Sequence, residues 1–252
     1  YEVFTDYLLK IKWEAIHDLI FVAGHIKKTA IGRIPSLPQK VQNIRIVPNG
    51  VNLDKFKFKK RDRGWNIAYL GYVHYRKGPV LLLHAFRELV RFDKRYQLFI
   101  GGKIEDIHYV LYFNQMIKEM GLEENVHFDG WIENQSINTW LDDKQYIVCT
   151  SIHEGHPVGI MEAMACGLKP LIHNYVGARE SYPDTYIWNT IPEFVDMVTG
   201  GEYTPLKYRK FIEANYNLDA QLEKVENIIS EAGKRMVRYE RVESVDNSAV
   251  IP

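Results

Sequence analysis

Two glutamates in one short stretch of the chain are the strongest candidates for chemistry. Residues 151–162 read Ser-Ile-His-Glu-Gly-His-Pro-Val-Gly-Ile-Met-Glu, so Glu154 and Glu162 lie eight positions apart. Because an α-helix rises about 1.5 Å per residue, eight positions span roughly 12 Å and let two carboxylates contact opposite ends of one extended ligand. The spacing alone is weak evidence, since glutamates eight residues apart are common in any protein.

The residues around this pair predict a strand, a tight turn and a helix. The apolar run Tyr146–Thr150 comes first, Gly155 and Gly159 suit a turn and a helix start, and Ile160–Cys166 is strong helix-forming sequence that Gly167 ends. A helix that begins at the carboxyl edge of a parallel sheet presents unpaired N–H groups, which bind anions. A nucleoside diphosphate would fit there, beside Glu154 and close to His156 and Val158.

A second stretch has the same arrangement of a strand followed by a helix. Gly71 follows the apolar run Trp65–Leu70 and permits close approach of the backbone, and Arg76 and Lys77 supply cations. These cations could clamp a diphosphate and stabilise its charge as a sugar leaves, so we expect no metal ion to be required. Read in isolation, an Arg-Lys pair is more often a solvated loop.

One tryptophan lies at the predicted end of another strand. Trp131 comes just after Gly130 and could border a nucleobase, although tryptophans more often pack in cores or on surfaces. Two other kinds of ligand, a zinc ion and a nicotinamide dinucleotide, are disfavoured by the sequence. The segment around His153 lacks the His-Glu-x-x-His pattern of a zinc helix, and Gly101-Gly102 lacks the third glycine of a nicotinamide-dinucleotide site.

Composition excludes several classes of protein. The chain has 252 residues, with 32 Lys and Arg against 32 Asp and Glu, so no global basic field favours nucleic acid. Only two cysteines are present, which favours a cytoplasmic location over a secreted, disulfide-rich protein. No apolar run approaches the roughly 20 residues of a transmembrane helix.

The elements that must position these residues alternate between strands and helices. Strands separated by helix-length connections predict an α/β fold with a Rossmann-like, doubly wound parallel sheet. Pro79 fits the first turn of one helix, and Asp106 and Gly121 suit the N-cap and the stop of the next. The predicted strands are Leu19–Ala23, Ile44–Val47, Trp65–Leu70, Gln97–Ile100, Val126–Phe128, Tyr146–Thr150 and Pro170–His173.

Turn-forming residues between Ile34 and Asn52 predict a boundary between two lobes. We expect residues 1–42 to be the end of a truncated N-terminal lobe that is too small for a core of its own. Residues 43–205 would form the Rossmann-like domain, residues 206–235 helices that pack back across a cleft, and residues 236–252 a loop or disordered tail.

Several separate segments resemble the family-4 retaining glycosyltransferases, which have the two-lobed GT-B fold. Residues 46–56, Ile-Val-Pro-Asn-Gly-Val-Asn-Leu-Asp-Lys-Phe, resemble the segment between the family's lobes. Residues 76–78, Arg-Lys-Gly, resemble its Lys-Gly turn, and the segment from Glu154 to Glu162 resembles its paired-glutamate motif. The resemblance runs from about Ile20 to Ile229 and covers mainly the family's C-terminal, donor-binding lobe.

The resemblance implies roles for individual residues. Glu154 would contact the donor sugar and Glu162 the ribose, while Lys77 and Arg76 would hold the diphosphate. The chain departs from the family at Tyr72, where arginine is usual, and at His156-Pro157, where Phe-Gly is common; these departures concern the pose of the donor and not the fold. The donor-binding residues expected on this basis are Gly71, Tyr72, Lys77, Gly130, Trp131, Glu154, Gly155, His156, Val158, Gly159 and Glu162.

The leading hypothesis is transfer of a sugar from a UDP- or GDP-linked donor, with retention at the anomeric carbon. The acceptor, whether glycan, lipid-linked or protein, is not specified by the sequence. The resemblance places the acceptor site in the first lobe, so we expect this chain alone to be weakly active or inactive. Any peripheral association with a membrane would also be made by that lobe. A sugar-nucleotide epimerase of GT-B architecture and a non-catalytic sugar-nucleotide-binding module remain alternatives.

Overall fold

The computed structural model describes the backbone of residues 5–246 and the side chains of residues 5–234. The chain divides into two compact units. The larger unit is Gly50–Asn217, and the smaller unit combines Tyr1–Asn49 with Leu218–Pro252.

The larger unit is built on a parallel sheet of six strands. The strands are β3 (Asn66–Leu70), β4 (Gln97–Gly101), β5 (Val126–Gly130), β6 (Tyr146–Cys149), β7 (Lys169–His173) and β8 (Ile187–Trp188). Their order in space is β5-β4-β3-β6-β7-β8, and each neighbouring pair is parallel. Within this unit, the strands therefore run from β3 outward through β4 and β5 to one edge of the sheet. The second half runs from β6, beside β3, through β7 and β8 to the other edge.

Helices cover both faces of this sheet. They are α3 (Pro79–Phe92), α4 (Ile107–Glu119), α5 (Ile137–Trp140), α6 (Val158–Ala165), α7 (Ala178–Ser181), α8 (Ile191–Thr199) and α9 (Pro205–Asn215). Successive strand residues point to opposite faces. Tyr146 and Val148 pack with α3 and α8, whereas Ile147 and Cys149 pack with α6 and α9. Because both faces are buried, the expected doubly wound α/β sheet is confirmed.

The local sequence signals place these elements well. Pro79 begins α3, the Asp106 carboxylate accepts a hydrogen bond from the His108 amide at 2.9 Å at the start of α4, and Gly121 follows α4 with φ +64°. All seven predicted strands are present, within about one residue at most ends. The eighth strand, β8, was missed because it has only two residues and follows a proline-containing turn.

The smaller unit has a two-stranded parallel sheet, β1 (Asp18–Phe21) with β2 (Asn43–Ile46), together with α1 (Gly24–Arg33), α2 (Leu37–Lys40) and α10 (Leu218–Asp246). The division lies after Asn49, later than the predicted boundary at residue 42, because β2 pairs with β1. The N-terminal segment also buries a cluster of its own, contrary to expectation. The cluster comprises Leu8, Trp13, Phe21, Ala23, Ile26, Ala30, Ile34, Leu37 and Val41.

The C-terminal helices do not form one group as predicted for residues 206–235. The first, α9, packs on α6 within the larger unit, whereas α10 belongs to the smaller one. Residues 236–252 were expected to be loop or disordered, and this expectation is wrong for residues 236–246. The helix α10 continues to Asp246, since its sequence has one glycine and no proline to end it, and residues 247–252 lie outside the described residues. Among the helices described, none combines the length and the apolar character needed to cross a membrane.

Candidate active site

The two motif-bearing loops meet at the centre of the sheet. The loop that carries Lys77 follows β3, and the loop that carries Glu154 follows β6. These two strands are neighbours, and the order of the strands reverses between them. Open α/β sheets bind ligands at the carboxyl edge at such a switch point, because the connections diverge there and leave a crevice. We call this place the β3–β6 crevice.

An ion pair joins the two loops across the crevice. The Lys77 Nζ lies 2.5 Å from Glu154 Oε1, and the Ser151 hydroxyl donates to the same oxygen at 2.6 Å. The side chains of Lys77 and Glu154 are 27% and 13% exposed. The pair is therefore shielded from bulk water yet open on one side, and it fixes a positive and a negative group next to each other.

The backbone of the Lys77 loop is held by the strand end opposite. Residues Tyr75–Lys77 form a single 3₁₀ turn, and Thr150 Oγ1 donates to the Lys77 carbonyl at 2.8 Å. Gly78 follows with φ +62°, and a Cβ there would lie 2.1 Å from the Thr150 carbonyl oxygen. Only glycine satisfies both conditions, so the Lys-Gly sequence is dictated by the close approach of the two loops.

The start of α6 completes the crevice. Val158 is the first helical residue, and no acidic side chain occupies the first turn. The amides of a first helical turn have no carbonyl one turn earlier, and the helix dipole adds positive charge there. A cavity of about 210 Å³ lies between this turn and the ion pair. Among its lining residues are Lys77, Ser151, Glu154, His156, Val158 and Gly159.

Two predicted residues near this cavity have other contacts. Arg76 lies on the same turn as Lys77, but it is not among the residues that line the cavity. Its carbonyl accepts a hydrogen bond from the Ile152 amide at 2.8 Å. The His156 ring is buried and packs edge-on against Tyr216, with centroids 4.6 Å apart. Thus Arg76 and His156 also have structural contacts of their own.

Glu162 lies outside the cavity, on the body of α6. Burial raises the pKa of its carboxyl to about 7, and the positive charge of Lys55 acts in the opposite direction. The Lys55 amine is also hydrogen-bonded to the Asn134 side chain in the loop after β5. Glu162 and Glu154 therefore lie in two separate environments, with Lys55 and Asn134 near Glu162.

The other predicted residues gather at the ends of β3 and β5. Tyr72 and Trp131 are 39% and 52% exposed, and their rings lie 5.1 Å apart between centroids. The end of β4 lies between them, and a Cβ on Gly102 would stand 1.9 Å from the Gly71 carbonyl oxygen. The absence of a side chain at Gly102 thus lets the loop of Gly71 pass close to the end of β4. Gly130, with φ +72°, forms the turn before Trp131.

Sequence reasoning missed four residues of this region. Ser151 could have been found as the hydroxyl three positions before Glu154, and His74 as a capping residue before the Lys77 turn. Lys55 and Asn134 gave no signal, because only the folded chain brings them near Glu162. Among the described residues, no group of three histidine, cysteine or carboxylate side chains is arranged to hold a metal ion.

The fold and the crevice define a class of protein: a parallel α/β domain with a Lys77–Glu154 ion pair and a helix start in the crevice at its switch point. Among solved structures, Anabaena HepE in complex with UDP-glucose is similar, with a TM-score of 0.72 and 16% identity over 84% of this chain and 63% of that one. The C-terminal domain of the group 1 glycosyl transferase LpcC from Francisella tularensis matches over its full length and 67% of this chain, with a TM-score of 0.58 and 17% identity. The fold is that of a GT-B glycosyltransferase lobe.

The family follows from the sequence. Residues 51–242 match the family model described as Glycosyl transferases group 1, and the chain belongs to that family. A curated relative is the GDP-mannose:cellobiosyl-diphosphopolyprenol alpha-mannosyltransferase of Xanthomonas campestris, which is 28% identical over 130 residues. The match covers 51% of this chain and 34% of the relative, so the chain spans about a third of that relative's length.

Proposed function

We propose that this chain binds a nucleotide-diphosphate sugar in the β3–β6 crevice and supplies the donor-binding lobe of a glycosyltransferase. The observation that carries the proposal is the Lys77–Glu154 ion pair beside the start of α6. A lysine and a helix start supply positive charge for a diphosphate, and the carboxylate next to them can accept hydrogen bonds from sugar hydroxyls.

In the proposed reaction, the bond between the anomeric carbon and the β-phosphate oxygen breaks, and the electron pair stays on the phosphate. An acceptor hydroxyl forms the new bond to the anomeric carbon, and its proton passes to the departing diphosphate. Lys77, with Arg76 on the same turn, stabilises the charge that builds on the departing diphosphate. Glu154 positions the sugar. We propose that these cations make a metal ion unnecessary.

The remaining residues would contact other parts of the donor. Glu162 would accept hydrogen bonds from the ribose, and the Tyr72–Trp131 pair would border the nucleobase. Gly71, Gly130 and Gly159 would allow the backbone to approach the ligand, together with Gly155, His156 and Val158. The Xanthomonas relative is named for a GDP-mannose donor and HepE was solved with UDP-glucose, which supports a UDP- or GDP-linked donor here.

We also propose that transfer retains the anomeric configuration, a conclusion that rests on the resemblance of the paired-glutamate motif to that of retaining enzymes. The two-cysteine composition supports a cytoplasmic location. The match to the LpcC C-terminal domain supports assignment of Gly50–Asn217 to the donor-binding lobe.

Calorimetric titration of the chain with UDP, GDP and their sugar conjugates tests donor binding. We expect binding of one nucleotide class, and we expect Glu162→Ala to weaken it. If the chain binds neither nucleotide class, or if Glu162→Ala leaves nucleotide binding unchanged, the assignment of the site is wrong. NMR of the product made by the full-length enzyme reports the anomeric configuration, and conversion of the donor without any acceptor would indicate an epimerase instead.

A further inference from the structure

The turn that presents Lys77 is capped by a histidine. His74 immediately precedes the 3₁₀ turn Tyr75–Lys77, and its Nδ1 accepts a hydrogen bond from the Arg76 backbone amide, with 3.3 Å between the nitrogens. His74 has extended backbone angles, φ −148° and ψ 169°, as expected of an N-cap. The side chain therefore takes the place of the carbonyl that this amide lacks.

Backbone hydrogen bonds hold the turn as well, and at its start the Lys77 amide donates to the His74 carbonyl at 2.9 Å. The Gly78 amide donates to the Tyr75 carbonyl at 3.1 Å, and the Arg76 and Lys77 carbonyls accept from Ile152 and Thr150. A three-residue turn has little cooperativity of its own, so its direction depends on such contacts. The His74 cap adds a side-chain hydrogen bond at the first part of the turn, and its acceptor belongs to a group that titrates.

An imidazole can cap in this way only while Nδ1 is unprotonated. Burial lowers the pKa of His74, and the charges of Arg76 and Lys77 lower it further, whereas Glu105 and Glu154 act in the opposite direction. The neutral ring is therefore the form present at neutral pH, with its proton on Nε2. The two cations that the turn carries thus help to maintain the acceptor that caps it.

We propose that His74 is a positioning residue for the diphosphate end of the donor site: its neutral ring caps the turn that directs Lys77 towards the diphosphate. The inference rests on the proposed function, because it requires Lys77 to contact the donor. His74 is not among the residues that line the cavity, so its effect passes through the turn and not through contact with the ligand.

The experiment compares two ligands and two substitutions. UDP and GDP carry the diphosphate that Lys77 would contact, whereas uridine and guanosine do not. His74→Ala removes the cap, and His74→Asn keeps an oxygen acceptor at a similar distance from the backbone, since asparagine is a strong N-cap residue. We expect His74→Ala to weaken binding of the diphosphate about fivefold, which corresponds to about 1 kcal/mol. We expect His74→Asn to stay within about twofold of the unmodified chain, and nucleoside binding to be the same in all three.

Three results would overturn the inference. His74→Ala could bind the diphosphate as the unmodified chain does, His74→Asn could lose as much affinity as His74→Ala, or nucleoside binding could fall by the same factor as diphosphate binding. If His74→Ala does not fold, His74→Gln replaces it, because its amide is one methylene too long for the cap. If the unmodified chain binds neither UDP nor GDP, the proposed function itself fails.

Discussion

Replacement of Lys77 by methionine removes the charge on which the proposed site depends while it keeps most of the side-chain volume. Hydrogen bonds to charged groups contribute about 1.5–3 kcal/mol, so losing the amine should weaken diphosphate binding by about tenfold to 150-fold. The structure indicates the upper part of that range. Glu154 is only 13% exposed and would face the diphosphate without its counter-charge.

Two further variants separate this repulsion from the lost contact. In the double variant Lys77→Met/Glu154→Gln the carboxylate is neutral, so affinity should recover towards the tenfold loss expected for the hydrogen bond alone. Lys59→Met is the matched control. Lys59 pairs with Asp142 at 3.3 Å, its side chain is 53% exposed, and it precedes β3 at the opposite edge of the sheet. This variant should bind the diphosphate as the unmodified chain does.

The assay is isothermal calorimetry with UDP and GDP, after thermal melting has shown that each variant is folded. Unchanged affinity in Lys77→Met would refute the reasoning, because the amine would then lie away from the ligand. Equal losses in Lys77→Met and Lys59→Met would also refute it, since a general electrostatic effect of net charge would explain both.

Three other predictions concern pH, stability and metal ions. Because burial raises the pKa of Glu162 to about 7, its carboxyl is about half ionised at neutral pH and loses its charge as the pH falls. Nucleotide affinity should therefore fall as the pH drops through about 7, and Glu162→Gln should abolish this step in titrations over pH 6–8. The buried Arg61 donates hydrogen bonds to the carbonyls of Cys166, Leu141, Asp142 and Lys144. Arg61→Met should therefore lower the free energy of unfolding, measured in urea melts, by about 3 kcal/mol or more. A decrease below about 1 kcal/mol would contradict the role of these bonds. Treatment with EDTA should leave UDP and GDP affinity unchanged, and a loss that added Mg²⁺ restores would show that the cations of the crevice do not suffice.

The fold could be predicted from local signals because these agree with the final packing. Pro79, Asp106 and Gly121 mark helix ends whatever the rest of the chain does, and apolar runs between helices leave little choice but a parallel sheet. Turn-forming residues between Ile34 and Asn52 mark the region of the division into units, but not its position after Asn49. That position follows from the pairing of β2 with β1, a contact between residues distant in sequence.

The candidate site shows the same limit. The Lys77 and Glu154 loops could be placed together because both follow strands of one sheet, and parallel strands end at one edge. The separation of Glu162 from Glu154 was expected from their eight-residue spacing, but which of the two lines the cavity depends on where α6 begins relative to the turn. The contact of Lys55 with Asn134 depends on the path of the segment before β3, which carries no periodic signal.

A crystal structure of the chain with a UDP- or GDP-linked sugar would test the central claim most directly. The proposed function predicts the diphosphate within about 3 Å of Lys77 Nζ and of the first amides of α6, with the ribose towards Glu162 and the sugar beside Glu154. A nucleotide bound elsewhere on the domain, or one bound in the β3–β6 crevice with Lys77 still paired only to Glu154, would contradict it.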